Sequence, residues 1–227
     1  MSWTVGGRGA RDGCAILTVT GRGTRATARG RMRDIKRVLV LGANGAMGAE
    51  VAALFAARGF QVAALARTQE KALEGLHKAR EAARSDVIDR AIHCGAYEAS
   101  LEKETSVADL VIECLADDLP TKSRYLEWVD RARRAETVVA TVSSGLSIAE
   151  LASGRSPGFR RHFMGMHLFR PVASVVGTEL IAGPETDREE LGMIRAMLRK
   201  RLGRVVVECR DAPGFAGNRI AFKVLNE

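Results

Sequence analysis

His167 and Glu179 stand twelve residues apart in GMHLFRPVASVVGTELI (165–181), each beside an apolar run. That pattern suits two neighbouring strand ends that meet. A carboxylate brought to an imidazole orients it and stabilises its protonated form, which is what a general base needs. A lone histidine beside an apolar run is more often packed or solvated, so the pair draws meaning from LVLGANGAMG (39–48) upstream. There Gly42, Gly45 and Gly48 sit between a strand-like and a helix-like segment. Glycine lets the backbone approach a dinucleotide pyrophosphate, and the helix N-terminus supplies N–H groups and a positive dipole end. No Lys-Ser/Thr follows, which argues against a triphosphate loop. The next strand end, where an acid would hold an adenosine ribose, reads Ala66-Arg67-Thr68. Loss of the acid with gain of a guanidinium favours a 2′-phosphate and tilts an NAD or NADP reading towards NADP.

The elements that must position these residues alternate. VLVL (38–41) reads as a buried strand, 46–58 as a helix stopped by Gly59, QVAALA (61–66) as a second strand, and a polar helix follows to about Arg84. DLVIECL (109–115) and TVVATV (137–142) are strands around a helix from about Pro120 to Arg134. SIAE (147–150) and TDRE (186–189) read as capping boxes, the second opening a helix to about Leu202. HFMGMHLF (162–169), ELIA (179–182) and RVVVEC (204–209) complete the strands. Strands and helices in alternation, with continuous apolar strands, imply an α/β fold: a Rossmann-type, doubly wound, mostly parallel sheet covered on both faces.

Of the eight net positive charges, five lie in residues 1–35, where seven arginines face Asp12 and Asp34. The rest is close to neutral, so the basic pI is no argument for nucleic acid. Residues 1–34 read as a disordered basic tail or extended start; an RNA-binding arm would have only Trp3 for stacking, and the glycines disfavour a transit helix. Four scattered cysteines (14, 94, 114, 209) without a CxxC pair read as reduced thiols in a cytoplasmic protein, with no metal site. No run approaches the roughly 20 apolar residues that span a bilayer.

From about Lys36 to Glu227, more loosely between 70 and 105, the chain resembles the cofactor-binding part of the 3-hydroxyacyl-CoA dehydrogenases of fatty-acid β-oxidation. GAMG resembles the family's Gly-x-Met-Gly turn, and DLVIECLADDLPTK (109–122) its acidic strand end followed by a helix with a lysine. ATVSSGLSI (140–148) resembles its Ser-rich strand end, HLFRPV (167–172) its His-Phe-Phe-Asn-Pro-Val, and DAPGFAGNRI (211–220) its Asp-x-Pro-Gly-Phe-x-x-Asn-Arg. The resemblance implies NAD, an acyl-CoA substrate, and roles for single residues. His167 takes the 3-hydroxyl proton, Glu179 orients it, Ser144 bonds the substrate oxygen, and Asn218 helps hold Ser144 and the substrate carbonyl. Gly42, Gly45, Met47 and Gly48 form the cofactor turn with Arg67 nearby, while Asp117 and Lys122 sit by the nicotinamide ribose.

The chain also departs from the family. Its turn is GxxGxxG, one residue longer than GxGxxG, and Arg170 replaces the asparagine, where a cleft-facing guanidinium would meet a substrate phosphate or carboxylate. The stretch between the second and third strong strands is shorter than in the family, where a helix pair contacts the coenzyme A portion, so the resemblance implies hydride chemistry more firmly than thiolester recognition. Residues 35–213 are read as the dinucleotide-binding domain and 214–227 as only the first turns of a C-terminal helical domain. The expectation is cofactor binding with little turnover, an apolar face at 219–225 lacking its packing partner, and a homodimer only with that domain present. The rivals are another β-hydroxyacid dehydrogenase, such as the 3-hydroxyisobutyrate or 6-phosphogluconate enzymes, which the His167/Glu179 pair disfavours, and a non-catalytic dinucleotide-binding module.

Overall fold

A computed structural model describes residues 34–226. The readings of the arginine-rich stretch, Trp3 and Cys14 lie outside the described residues. The chain runs β1 (Arg37–Leu41), α1 (Ala46–Ala56), β2 (Gln61–Ala66), α2 (Gln69–Ala83), β3 (Ile92–Ala96), α3 (Tyr97–Val107), β4 (Leu110–Glu113), α4 (Leu119–Ala132), β5 (Val138–Thr141), α5 (Ile148–Ala152), α6 (Pro157–Arg161), β6 (Phe163–Leu168), β7 (Gly177–Ala182), α7 (Arg188–Lys200), β8 (Val205–Cys209) and α8 (Gly217–Leu225). The strands form one eight-stranded sheet in the order β3-β2-β1-β4-β5-β6-β7-β8. All pairs are parallel except β6–β7.

Alternate strand residues feed two cores. Val38, Val40, Ile112 and Ala140 pack with α1, α2 and α7 on one face. Leu39, Leu41, Val111 and Val139 pack with α3 to α6 on the other. The continuous apolar runs of β1 (38–41), β4 (110–112) and β5 (138–140) fit this two-sided burial. Order reversal between β1 and β4 opens a crevice at the carboxyl ends of the parallel strands, where open α/β sheets take ligands.

Three readings need correction. A strand, β3, and helix α3 lie where sequence matched loosely; Ile92-His-Cys-Gly-Ala has no apolar run, and forms a strand by edge pairing with β2. The closing strand β8 is the other edge, with Val205 and Val207 exposed rather than buried on both faces. The second capping box is displaced by one: Asp187 caps α7 through the amides of Glu189 and Glu190. The Thr186 hydroxyl instead accepts from Gly183 N at 2.8 Å and donates to Phe163 O at 2.6 Å.

Among the described residues no helix is long and apolar enough to cross a membrane, and no cluster of three His, Cys, Asp or Glu can hold a metal. Cys94, Cys114 and Cys209 are free thiols.

Candidate active site

In the antiparallel β6–β7 ladder His167 lies directly opposite Glu179, so both side chains leave the same sheet face. His167 Nδ1 is 2.6 Å from Glu179 Oε2, in a place where the two residues are 5% and 4% exposed. Burial works to raise the Glu179 pKa, but the His167 bond and the Gly217 and Ala216 amides outweigh it and hold the carboxyl below its usual range. An ionised carboxylate only accepts, so Nδ1 carries a proton, and in the neutral imidazole that tautomer puts the lone pair on Nε2. The second oxygen, Oε1, accepts from Ala216 N at 2.9 Å, Gly217 N at 2.7 Å and the Cys209 thiol at 3.4 Å. Burial, then Glu179 itself, pushes that thiol up to about 12, so it remains a donor. Phe169 and Phe215 flank the imidazole, their ring centroids 4.6 and 5.7 Å away.

Past the ends of β4 and β5 lies a second polar group. Ser144 donates its amide (3.0 Å) and its hydroxyl (2.9 Å) to Asp117 Oδ2. Asn218 Nδ2 donates to the Ser144 carbonyl at 3.2 Å. Lys122, which the resemblance places near the nicotinamide ribose, has a fully buried side chain. Its ammonium sits 2.7 and 2.8 Å from the two Glu113 oxygens, 3.1 Å from Leu115 O and 3.3 Å from Asp117 Oδ1. It therefore braces the loop carrying Asp117 from below. Glu113, which sequence reasoning passed over, also takes Leu115 N at 2.5 Å and Thr141 Oγ1 at 2.7 Å, tying β4 to β5. The available signal was a carboxylate inside the apolar run VIECL, with a lysine nine residues on.

Helix α8 joins the two groups: its first amides fix Glu179, and Asn218 in its first turn fixes Ser144. Asp211, just upstream, accepts from Ser147 Oγ and from the Ile148 and Ala149 amides, which seats α5 beside them.

Gly42 turns the chain at φ +79°, and its amide donates to Tyr97 Oη at 2.7 Å as well as to Leu65 O at 3.1 Å. A Cβ on Gly48 would lie 2.2 Å from Gly42 O, so the turn closes only with glycine there. Gly45 precedes α1 with no side-chain cap, and the first turn holds no acid. These uncapped amides, with half-buried Met47 beside them, fit a pyrophosphate. Ala66 is buried at the end of β2 and Arg67 is exposed. Arg170 does not reach for a ligand: its Nε and Nη2 lie 2.8 and 2.7 Å from Glu50 Oε1 on α1, while Glu50 Oε2 takes Val172 N at 2.6 Å. A 630 Å³ cavity among Arg37, Gln61, Ile92 and α3 opens at the strand starts, away from all these groups.

Residues 37–212 match the family described as 3-hydroxyacyl-CoA dehydrogenase, NAD binding domain. A probable 3-hydroxyacyl-CoA dehydrogenase of Bacillus subtilis (strain 168) is 32% identical over 83% of this chain, which spans 27% of that protein. A probable 3-hydroxybutyryl-CoA dehydrogenase of the same organism is 31% identical over 86% of this chain and 69% of its own length. The crystal structure of (S)-3-hydroxybutyryl-CoA dehydrogenase from Ralstonia eutropha aligns with a TM-score of 0.77 at 25% identity, covering 85% of this chain and 70% of that one.

Proposed function

The chain belongs to the 3-hydroxyacyl-CoA dehydrogenase family through its NAD-binding domain, and from that premise we propose that it takes part in hydride transfer at the C3 hydroxyl or keto group of a 3-hydroxyacyl-CoA. NAD, when bound, supplies the hydride acceptor. The observation that carries the reading is the 2.6 Å bond between Glu179 and His167 Nδ1, which leaves Nε2 free to take the 3-hydroxyl proton. Glu179 stays ionised and stabilises the imidazolium that forms. The uncapped first turn of α1 holds the pyrophosphate, while Ser144 and Asn218 face the substrate oxygen and carbonyl. Residues 35–213 serve as the dinucleotide domain and 214–227 as the beginning of the helical part. Homodimerisation belongs to that helical part, and a reducing, cytoplasmic setting is supported by the free thiols.

The test is acetoacetyl-CoA-dependent oxidation of NADH, on this chain and on a form joined to the helical remainder of its longer relatives. His167→Gln should abolish turnover, a loss of at least about 10²-fold, while NADH binding persists. No acetoacetyl-CoA-dependent oxidation in either form would sink the reading. An exposed Arg67 and no acid at Ala66 also support acceptance of NADPH. Arg67→Ala should weaken NADPH and leave NADH unchanged in the same titration; equal losses would remove the phosphate contact.

A further inference from the structure

Helix α2 lies against the glycine turn and brings a cation to it. Gly75 packs so closely that a Cβ there would lie 2.5 Å from Ala43 O. Lys78, three residues on and so on the same face of α2, donates from Nζ to Asn44 O at 2.7 Å. Asn44 lies between Gly42 and Gly45, in the part of the turn that is one residue longer than GxGxxG. Lys78 is exposed and pairs with no carboxylate among the described residues. Glu74 and Glu81 flank it at spacings that pair on a helix, yet Glu74 is taken by Lys71 and the Lys78 side chain turns to the loop instead. An ammonium has three donors and the carbonyl uses one, so two remain.

That placement is unfavourable without an anion. Helix α1 starts at Ala46, two residues beyond Asn44, with no side-chain cap and no acid in its first turn. Its N–H groups and positive dipole end therefore lie next to a second positive charge. A neutral carbonyl offsets the ammonium only in part, whereas an anion at the turn relieves both. Gly45 and Ala46 are exposed, which leaves the approach to this helix end open.

We propose that Lys78 is a further cofactor-binding residue: its ammonium, held at the turn by Asn44 O, pairs with the pyrophosphate of the dinucleotide. A charge contact from α2 is thereby added to the backbone amides of α1. The inference rests on the cofactor reading of the turn and assigns it a side chain from a different helix. It also separates Lys78 from Arg67 at the end of β2. Arg67 would act on NADPH alone, whereas a pyrophosphate contact acts on NADH and NADPH alike.

Titrations on the full chain test this. NADH and NADPH affinities are read by fluorescence, and those of ADP and adenosine by displacement of NADH. Lys78→Met keeps the apolar stem and removes the charge. NADH, NADPH and ADP should each bind it about fivefold more weakly, while adenosine binds as to the wild type and Lys78→Arg restores the affinity. Added salt should cost the wild type more NADH affinity than it costs Lys78→Met, because the contact removed is a screened charge pair. A Lys78 that only braces the Asn44 carbonyl predicts another pattern: the whole turn shifts, adenosine is lost as much as ADP, and the loss does not depend on salt. That pattern overturns the proposal, as does unchanged NADH affinity in Lys78→Met. Weakening of NADPH alone would put Lys78 at the 2′-phosphate and overturns it too. Lys78 is exposed, so Lys78→Met should melt near the wild-type temperature. A wild type that binds neither NADH nor ADP removes the cofactor reading itself, and the Lys78 assignment with it.

Discussion

Glu179 divides its two oxygens between two tasks: Oε2 holds the imidazole, and Oε1 holds the start of α8 through two amides. Substituting it therefore touches both chemistry and stability. Glu179→Gln keeps an acceptor but loses the charge that stabilises the imidazolium, so kcat should fall about 10²-fold or more while NADH affinity changes little; wild-type kcat in the variant would place the orienting charge elsewhere. Its pKa is lowered on folding from 4.5. Its contribution to stability is accordingly complete above 4.5 and is lost as pH falls through the lower folded value. Thermal midpoints of wild type and Glu179→Gln should differ most near neutrality and converge in acid, with Asp109, Asp117 and Asp187, shifted the same way, maintaining a common acid limb. Midpoints that diverge below 4.5 would contradict this sign.

At the scale of elements, the glycine turn is set by what packs on it. Helix α2 comes close enough that a Cβ on Gly75 would lie 2.5 Å from Ala43 O. A backbone oxygen cannot yield as a side chain would, so Gly75→Ala should cost about 1–3 kcal/mol and weaken NADH binding by displacing the turn. Gly192, inside α7, offers the opposite case, since a Cβ there meets nothing within 4 Å. Gly192→Ala should stabilise by about 0.5–1 kcal/mol through helix propensity alone. Denaturant unfolding of the two variants should show shifts of opposite sign; shifts of the same sign would mean that the packing around α2 is not what restricts position 75. The strand–turn–helix unit itself was readable, because its apolar run and glycines are local. Tyr97 under Gly42 was not, since the strand and helix around it carry no continuous apolar run.

For the molecule as a whole, the sheet is finished at β3 and β8, and α8 stands on its rim. None of the α8 residues is buried, and Ile220, Phe222 and Val224 are 66%, 60% and 69% exposed. This apolar face at 219–225 was expected from the resemblance, in which the family continues with a helical domain. Phe222→Glu should change unfolding free energy by no more than about 0.5 kcal/mol, because the ring packs on little; a larger loss would show that α8 is held against the sheet through that ring.

Alternation of apolar strands with helices, glycines at the first turn, and five motifs in one order are properties of short windows. The first two need only the period of a strand or a helix and the backbone freedom of glycine, so the fold class could be read directly, whereas the pairing of His167 with Glu179 took its weight from the motifs that resemble the family's. Which donor meets which acceptor is a different kind of fact. Arg170 could have faced the crevice, but it meets Glu50, 120 residues away in sequence. Lys122 meets Glu113 in a fully buried pair, nine residues apart across the start of α4. Ser144 shares its proton with Asp117, and Glu179 gathers the amides of α8 from 37 and 38 residues downstream. Hydrogen bonds depend on separations of a few tenths of an ångström between segments that only the packed sheet brings together, and no local pattern encodes such distances.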